Sequence, residues 1–265
     1  MGAVQPVAED FLIRILRDKQ VQIAERKLLM PPVLLRQMAQ QQVPARRARL
    51  RAERLRVIAE IKRGSPSAGT FDAALDAPAM AERYVQGGAA AVSVLTDGPY
   101  FQGSLADLEA VRARVDAPLL RKDFIIDDYQ LLEARAAGAD IVLLIVAALH
   151  TDNLKGLYER AAELGMQALV EVNTVQEAET AIEIGADLVG INNRDLHTFR
   201  VDLGTTERLK PQFPPSTVIA ALSGVRGVAD AVRMRAAGVD AVLVGEALMR
   251  AADPAGLLAH LGALQ

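Results

Sequence analysis

The sequence predicts an α/β fold: eight parallel strands alternate with helices and close into a (β/α)8 TIM barrel, behind an N-terminal helical extension. Three observations carry this. First, one short pattern recurs: an amphipathic helix end, a glycine, then an apolar strand. AAGADIVLLIV spans Ala136 to Val146, EIGADLVGIN spans Glu183 to Asn192 and AAGVDAVLVG spans Ala236 to Gly245. QGGAAAVSVL (Gln86 to Leu95) and ELGMQALVEV (Glu163 to Val172) are looser copies. Glycine suits the left-handed residue that ends a helix, and near-continuous apolar runs suit a parallel sheet covered on both faces. Second, the strands can be counted to eight, which favours closure over an open doubly wound sheet. Third, 265 residues fit one such barrel, typically about 250 long, and no G-x-G-x-x-G follows the first strand, which speaks against a dinucleotide-binding fold.

In chain order, the expected elements begin with a helix over Val7–Leu29, spaced by Phe11, Leu12, Ile15, Leu16, Val21 and Ile23 and ended by Pro31-Pro32. A second, basic helical stretch is expected over Leu34–Arg54. Its arginine cluster, ARRARLRAERLR from Ala45 to Arg56, reads as a solvated helix face rather than a nucleic-acid site, because the net charge of the chain is −3. The strands are expected at Val57–Lys62, Ala91–Leu95, Leu119–Asp123, Ile141–Val146, Ala168–Val172, Leu188–Asn192, Val218–Leu222 and Ala241–Gly245. Helices fit between them, among them Asp128–Ala137, Asp152–Leu164, Thr174–Ile184 and Gly227–Ala237. Residues 1–265 form a single barrel domain in this reading, of which about 1–56 is an extension packed on the barrel.

Composition excludes several classes. No cysteine is present, so disulfides, thiolate zinc sites and cysteine nucleophiles are out. No apolar run approaches the roughly 18 residues that span a bilayer. The N-terminus carries Glu9 and Asp10 where a signal peptide would be basic and then apolar. A cytoplasmic protein with no nucleic-acid or membrane partner is expected, and a monomer is favoured. Of the three histidines, His150, His197 and His260, none pairs with another at metal-ligand spacing, so no metal is expected.

The working site of such a barrel lies at the C-terminal strand ends. Here the polar strand ends are Glu60 and Lys62, which share a side because they are two apart; Lys122 in PLLRKDF; Glu171 in ALVEV; and Asn192 with Arg194 in LVGINNRDL. Isolated charges inside a barrel are costly, but two lysines and two glutamates on one mouth neutralise each other and shift one another's pKa. Ser223-Gly224 and Gly245-Glu246 follow the last two strands, where barrels of this kind often hold phosphate on backbone N–H groups. Phe101 and Phe124 follow the second and third strands and can line an apolar pocket.

VIAEIKRGSPSAG, SVLTDGPYFQGS, LLRKDFIID, ALVEVN, GINNRDL and VLVGEALM resemble the successive strand-end motifs of indole-3-glycerol phosphate synthases, in order and over nearly the whole chain, with ILRDKQ…AERK in the extension. The resemblance implies a cofactor-free enzyme of tryptophan biosynthesis. Its phosphorylated substrate, 1-(2-carboxyphenylamino)-1-deoxyribulose 5-phosphate, becomes indole-3-glycerol phosphate by ring closure and loss of CO₂ and water. It further implies Lys122 as the acid for closure, Glu171 as the base, and Lys62 as an anion holder that assists dehydration. Glu60 orients Lys62 and binds the intermediate, Asn192 binds substrate, and Ser65 fixes the first loop. Phe101 and Phe124 contact the anthranilate ring, and phosphate lies on Ser223, Gly224, Gly245 and Glu246 near Arg194. One residue departs from the pattern. The family usually reads A-E-S-G at the end of the seventh strand, where this chain has Ala221-Leu222-Ser223-Gly224, so Leu222 faces the substrate in place of a carboxylate. Two other readings stay open: another phospho-sugar barrel enzyme, such as phosphoribosylanthranilate isomerase, and a weakly active or inactivated phosphate-binding relative.

Overall fold

The computed structural model describes residues 11–66, 69–195 and 198–265. Its strands are β1 (Arg56–Ile61), β2 (Gly64–Ser65), β3 (Gly69–Thr70), β4 (Ala91–Leu95), β5 (Leu119–Lys122), β6 (Ile141–Ile145), β7 (Gln167–Val172), β8 (Leu188–Asn192), β9 (Val218–Leu222) and β10 (Ala241–Val244). Eight of them close a parallel barrel in the order β1-β10-β9-β8-β7-β6-β5-β4. The other two, β2 and β3, pair antiparallel in the loop after β1. The helices are α1 (Phe11–Leu29), α2 (Pro32–Gln41), α3 (Ala77–Gln86), α4 (Gly98–Phe101), α5 (Leu105–Arg112), α6 (Asp128–Ala136), α7 (Thr151–Glu163), α8 (Val175–Glu183), α9 (Gly204–Leu209), α10 (Val228–Ala236), α11 (Glu246–Arg250) and α12 (Pro254–Gly262). Each expected strand and helix of the barrel appears within about two residues of its expected bounds. The expected start of α1 at Val7, the acidic Glu9 and Asp10, and His197 lie outside the described residues.

The glycine that recurs before the strands has a physical reason. Gly88, Gly138, Gly165, Gly185 and Gly238 all hold a left-handed backbone, with φ between 73° and 87°. That turn reverses the chain from helix to strand, and a Cβ there would meet the carbonyl. Along the strands, side chains alternate between two apolar layers. Ile58, Leu120, Leu143, Leu169, Leu222 and Leu243 fill the interior of the barrel. Val57, Ala59, Val92, Val142, Val170 and Val189 face outward and are covered by the helices.

The extension departs from expectation. No helix spans Leu34–Arg54: α2 stops at Gln41, Gln42 turns to an extended backbone, and no regular structure follows until β1. Backbone and side-chain donors of this segment find acceptors on the barrel's N-terminal mouth that a helix would deny them. The Arg46 N–H donates to Asp140 at 2.8 Å and the Ala48 N–H to Gln167 at 2.7 Å. Arg51 donates to Asp240 at 2.8 Å and to the carbonyls of Pro215 and Thr217. Ala48 and Leu50 join the interior cluster and plug the barrel from below. Arg46 and Arg51 therefore strap this extended segment across the closed end of the barrel, while Arg47, Arg49 and Arg54 stay exposed, on an extended chain rather than a helix.

At the opposite mouth α1 is held by charge. Lys19, fully buried, donates to Asp97 and to Asp123 at 2.8 Å each. Asp123 also pairs with Arg121 at 3.0 Å; Arg121 pairs with Glu133, and Glu133 with Arg26, at 3.2 Å each. Burial would raise the Asp123 carboxyl, but Arg121 and Lys19, with the Thr96 hydroxyl, hold it well below the usual carboxylate range.

At the N-terminal mouth, Asp140 is buried and accepts from Arg46, Arg112 and the Leu119 N–H. Asp140→Ala takes the carboxylate from the largely buried Arg112 guanidinium, which keeps only the Val115 and Ala117 carbonyls, and leaves two backbone donors unpaired. It is expected to destabilise the fold by about 3 kcal/mol or more, while turnover per folded molecule stays unchanged. Urea denaturation and kinetics on the folded fraction check this together.

Candidate active site

All fourteen residues singled out from the sequence line one cavity of about 780 Å³ at the C-terminal mouth: Glu60, Lys62, Ser65, Phe101, Lys122, Phe124, Glu171, Asn192, Arg194, Leu222, Ser223, Gly224, Gly245 and Glu246. A larger open groove of about 1210 Å³ runs along the outside over α2, α6 and α7 and holds none of them. Among the described residues, no three His, Cys, Asp or Glu side chains gather to hold a metal ion.

The side chains reach the cavity because strand alternation aims them inward at the strand ends. Glu60 lies one residue before the end of β1, and Lys62 is the first residue beyond it. The Lys62 ammonium sits 3.2 Å from Glu60 Oε1. The same carboxylate lies over Gly245, where a Cβ would stand 2.4 Å from Glu60 Oε1 and push the carboxylate from its place. Lys62 also lies over the Phe71 ring at 5.5 Å, and Arg250 lies over that ring at 5.1 Å. This contact joins the loop after β1 to the helix after β10. Ser65 sits in the small hairpin of that loop, opposite Gly69.

Glu171 is buried on β7. Its Oε1 accepts from the Asn192 amide at 2.8 Å, and its Oε2 has no hydrogen-bond partner among the described residues. The Asn192 amide oxygen accepts from the Arg194 N–H at 2.9 Å, which fixes the direction of the amide and so of the carboxylate. Burial pushes the Glu171 carboxyl up from its ordinary value; Lys122 and the Asn192 hydrogen bond pull it down less strongly, and Glu177 and Glu60 add to the rise. A buried carboxyl with a raised pKa and one free oxygen is equipped to exchange a proton with a ligand.

Two aromatic rings, Phe101 and Phe124, stand with centroids 6.2 Å apart and form an apolar wall. Leu222, almost fully buried, ends β9 opposite Asn192 of β8. It packs into the space left by Gly190, where a Cβ would meet Leu222 Cδ1 at 2.5 Å. Ser223 holds a left-handed backbone, φ 59°, followed by Gly224 at φ 84°. For a non-glycine residue that conformation costs on the order of 1–3 kcal/mol and tends to persist at functional sites.

Sequence reasoning missed part of the lining. Phe11, Leu12 and Ile15 of α1 form a wall of the cavity, with Phe199, Arg226 and Arg250. Phe11 meets Tyr100 and Phe199 edge to face at 5.4 and 4.9 Å. The apolar spacing of α1 indicated a buried face but not what would cover it. His150 and His260 are exposed and lie outside the cavity.

Comparison with known proteins gives the family. The sequence model of the family described as indole-3-glycerol phosphate synthase matches residues 12–261. An indole-3-glycerol phosphate synthase of Parafrankia sp. is 56% identical over 212 residues, covering 80% of this chain and 79% of that one. That of Kineococcus radiotolerans is 48% identical over 262 residues, covering 96% and 94%. Among solved structures, a 3-hexulose-6-phosphate synthase superposes with a TM-score of 0.60 at 20% identity, covering 79% of this chain and 99% of that one. A thiamine phosphate pyrophosphorylase from Pyrococcus furiosus superposes with a TM-score of 0.57 at 19% identity, covering 78% and 93%. These last two likenesses are of fold alone.

The raised Glu171 pKa has a consequence for stability. A carboxyl of this kind keeps its proton in the folded state to higher pH than in the unfolded chain. Its contribution is fully present below the unfolded value, about 4.3, and is lost as pH rises through the folded value. Glu171→Gln, which cannot ionise, is expected to gain thermal stability over the unmutated chain as pH climbs from about 4 to about 8. Melting both proteins across that range tests it; a gap that stays constant or narrows contradicts the burial argument.

Proposed function

The chain belongs to the indole-3-glycerol phosphate synthase family, and from that membership we propose how its cavity divides the work of closing an indole ring. The enzyme is a decarboxylating carbon–carbon lyase of tryptophan biosynthesis. It converts 1-(2-carboxyphenylamino)-1-deoxyribulose 5-phosphate to indole-3-glycerol phosphate, CO₂ and water.

In the proposed mechanism the aromatic carbon bearing the carboxylate attacks the ketone carbon of the sugar chain. Lys122 gives a proton to the ketone oxygen, which becomes a hydroxyl. CO₂ then leaves from the same ring carbon, and its bonding electrons return to the ring system. Lys62 gives a proton to the hydroxyl, which leaves as water, while Glu171 takes a proton from the adjacent CH₂ carbon, and the C=C bond so formed completes the indole. Lys62 holds the substrate's anionic groups and assists loss of the hydroxyl, and Glu60 keeps Lys62 in place and faces the reacting centre. Phe101 and Phe124 hold the anthranilate ring. Asn192 orients Glu171, as their 2.8 Å hydrogen bond indicates, and Ser65 holds the loop over the site. The phosphate lies on backbone N–H groups of Ser223, Gly224, Gly245 and Glu246, with Arg194 beside it.

The observation that carries this reading is the convergence of four charged or titratable groups on one mouth: the buried Glu171 carboxyl lies within electrostatic reach of Lys122 and Glu60, and Glu60 is ion-paired to Lys62 at 3.2 Å. The reading extends to a cytoplasmic monomer with no cofactor. No described helix is long and apolar enough to cross a membrane. Family membership replaces the isomerase alternative.

Incubating the protein with the carboxyphenylamino-deoxyribulose phosphate is expected to yield indole fluorescence. Lys122→Met is expected to lower kcat by on the order of 10²–10⁴-fold, with competitive inhibition by inorganic phosphate retained. A loss below about fivefold would remove Lys122 from the acid's role.

A weaker enzyme than its relatives is the second reading, and Leu222 favours it. A carboxylate at the level of Asn192 can accept a charge-assisted hydrogen bond from a substrate hydroxyl; leucine cannot. Leu222→Glu is expected to raise kcat/KM by about 10- to 150-fold, the equivalent of roughly 1.5–3 kcal/mol. It is also expected to lower the melting temperature, because a negative charge joins Glu60 and Glu171. Unchanged or reduced activity would mean that the pocket has adapted to leucine.

A further inference from the structure

We propose that Lys19, a residue of the N-terminal helix outside the catalytic cavity, is a positioning residue that holds Lys122 and the two aromatic walls in register; the proposal rests on the function given above. All three N–H groups of Lys19 are used: Asp97 and Asp123 at 2.8 Å each and Gln22 at 3.3 Å. The two carboxylates are the hinge points of the site. Asp97 accepts from the Tyr100 N–H at 2.9 Å and so caps α4, whose last residue is Phe101. Asp123 accepts from the Phe124 N–H at 2.8 Å and from the Thr96 hydroxyl at 2.7 Å. The Thr96 N–H donates in turn to the Lys122 carbonyl at 3.1 Å.

Lys122 therefore sits between Arg121 and Asp123, which are both fully buried in this network on the opposite face of the chain. A rotation of the strand end that displaced either one would turn Lys122 away from the cavity. Lys19 binds Asp97 and Asp123 through one nitrogen. Without that cation the bridge between the two strand ends is lost, and the segments they anchor, one carrying Phe101 and the other Lys122 and Phe124, are no longer held in register. A buried ion network is weak support for stability, since apolar packing of equal volume often does as well. Its place at two adjacent strand ends beneath the acid and both aromatic walls points to positioning.

Lys19→Met alone leaves the buried Asp97 without a cation and Asp123 with Arg121 alone, and is at risk of not folding. The deciding variant is Lys19→Met with Asp97→Asn. It removes one charge of each sign, and asparagine still caps α4. On protein verified as folded by circular dichroism, kcat/KM is expected to fall by about 10- to 100-fold, since misplacement by about 1 Å can cost about 10²-fold. The inhibition constant of inorganic phosphate is expected to stay within about twofold, because the phosphate segments make no contact with Lys19. Turnover per folded molecule within about twofold of the unmutated chain, even with a lower melting temperature, overturns the proposal and leaves Lys19 a stabilising residue only. If the unmutated chain turns over no substrate, that counts against the proposed function. The positioning is then read from a crystal structure of the double variant, where Lys122, Phe101 and Phe124 unmoved would overturn it.

Discussion

The Glu60–Lys62 pair occupies the end of a strand whose preceding inward side chain, Ile58, is apolar and fully buried, and the rest of the mouth is arranged around its burial. A carboxylate removed from water needs a cation and space. Lys62 supplies the charge at 3.2 Å, and Gly245 supplies the space, since any side chain there would collide with Glu60. Lys62 is in turn covered by Phe71, which also carries Arg250 on its ring. One ion pair thus bears on the residue that follows the last strand and ties the loop after β1 to the helix after β10.

The same electrostatic logic sets the character of Glu171. It has no cation at hydrogen-bond distance, only the Asn192 amide and the more distant Lys122, so burial dominates and its carboxyl is held protonated to higher pH. Two carboxyls on one mouth therefore have different characters, one ion-paired and one proton-retaining. That divergence separates a group that positions charge from a group that exchanges protons.

The extension works at both ends of the barrel. Its arginine-rich strap seals the N-terminal mouth through Asp140 and Asp240 and inserts Ala48 and Leu50 as a plug. Its first helix covers the opposite mouth with Phe11, Leu12 and Ile15 and drives Lys19 between two strand-end carboxylates. The bottom contacts act on the persistence of the fold, and the top contacts act on the shape of the site.

Periodicity alone determined the barrel. The helix–glycine–strand unit can be read locally, because a left-handed glycine and an unbroken apolar strand each have a local cause. Strand ends were legible too, because alternation decides which side a residue faces, and this placed Glu60, Lys62, Lys122, Glu171 and Asn192 on one mouth. The Leu34–Arg54 segment was misread as a helix because its propensity is helical while its partners, Asp140, Gln167 and Asp240, lie about 94 to 189 residues away. Nothing in the local sequence singles out Lys19, for the same reason: its acceptors, Asp97 and Asp123, become its neighbours only when the strands close. Local patterns determine which way a side chain points. Only the closed barrel decides what it meets there, because burial and charge pairing depend on groups that the chain brings together across its whole length.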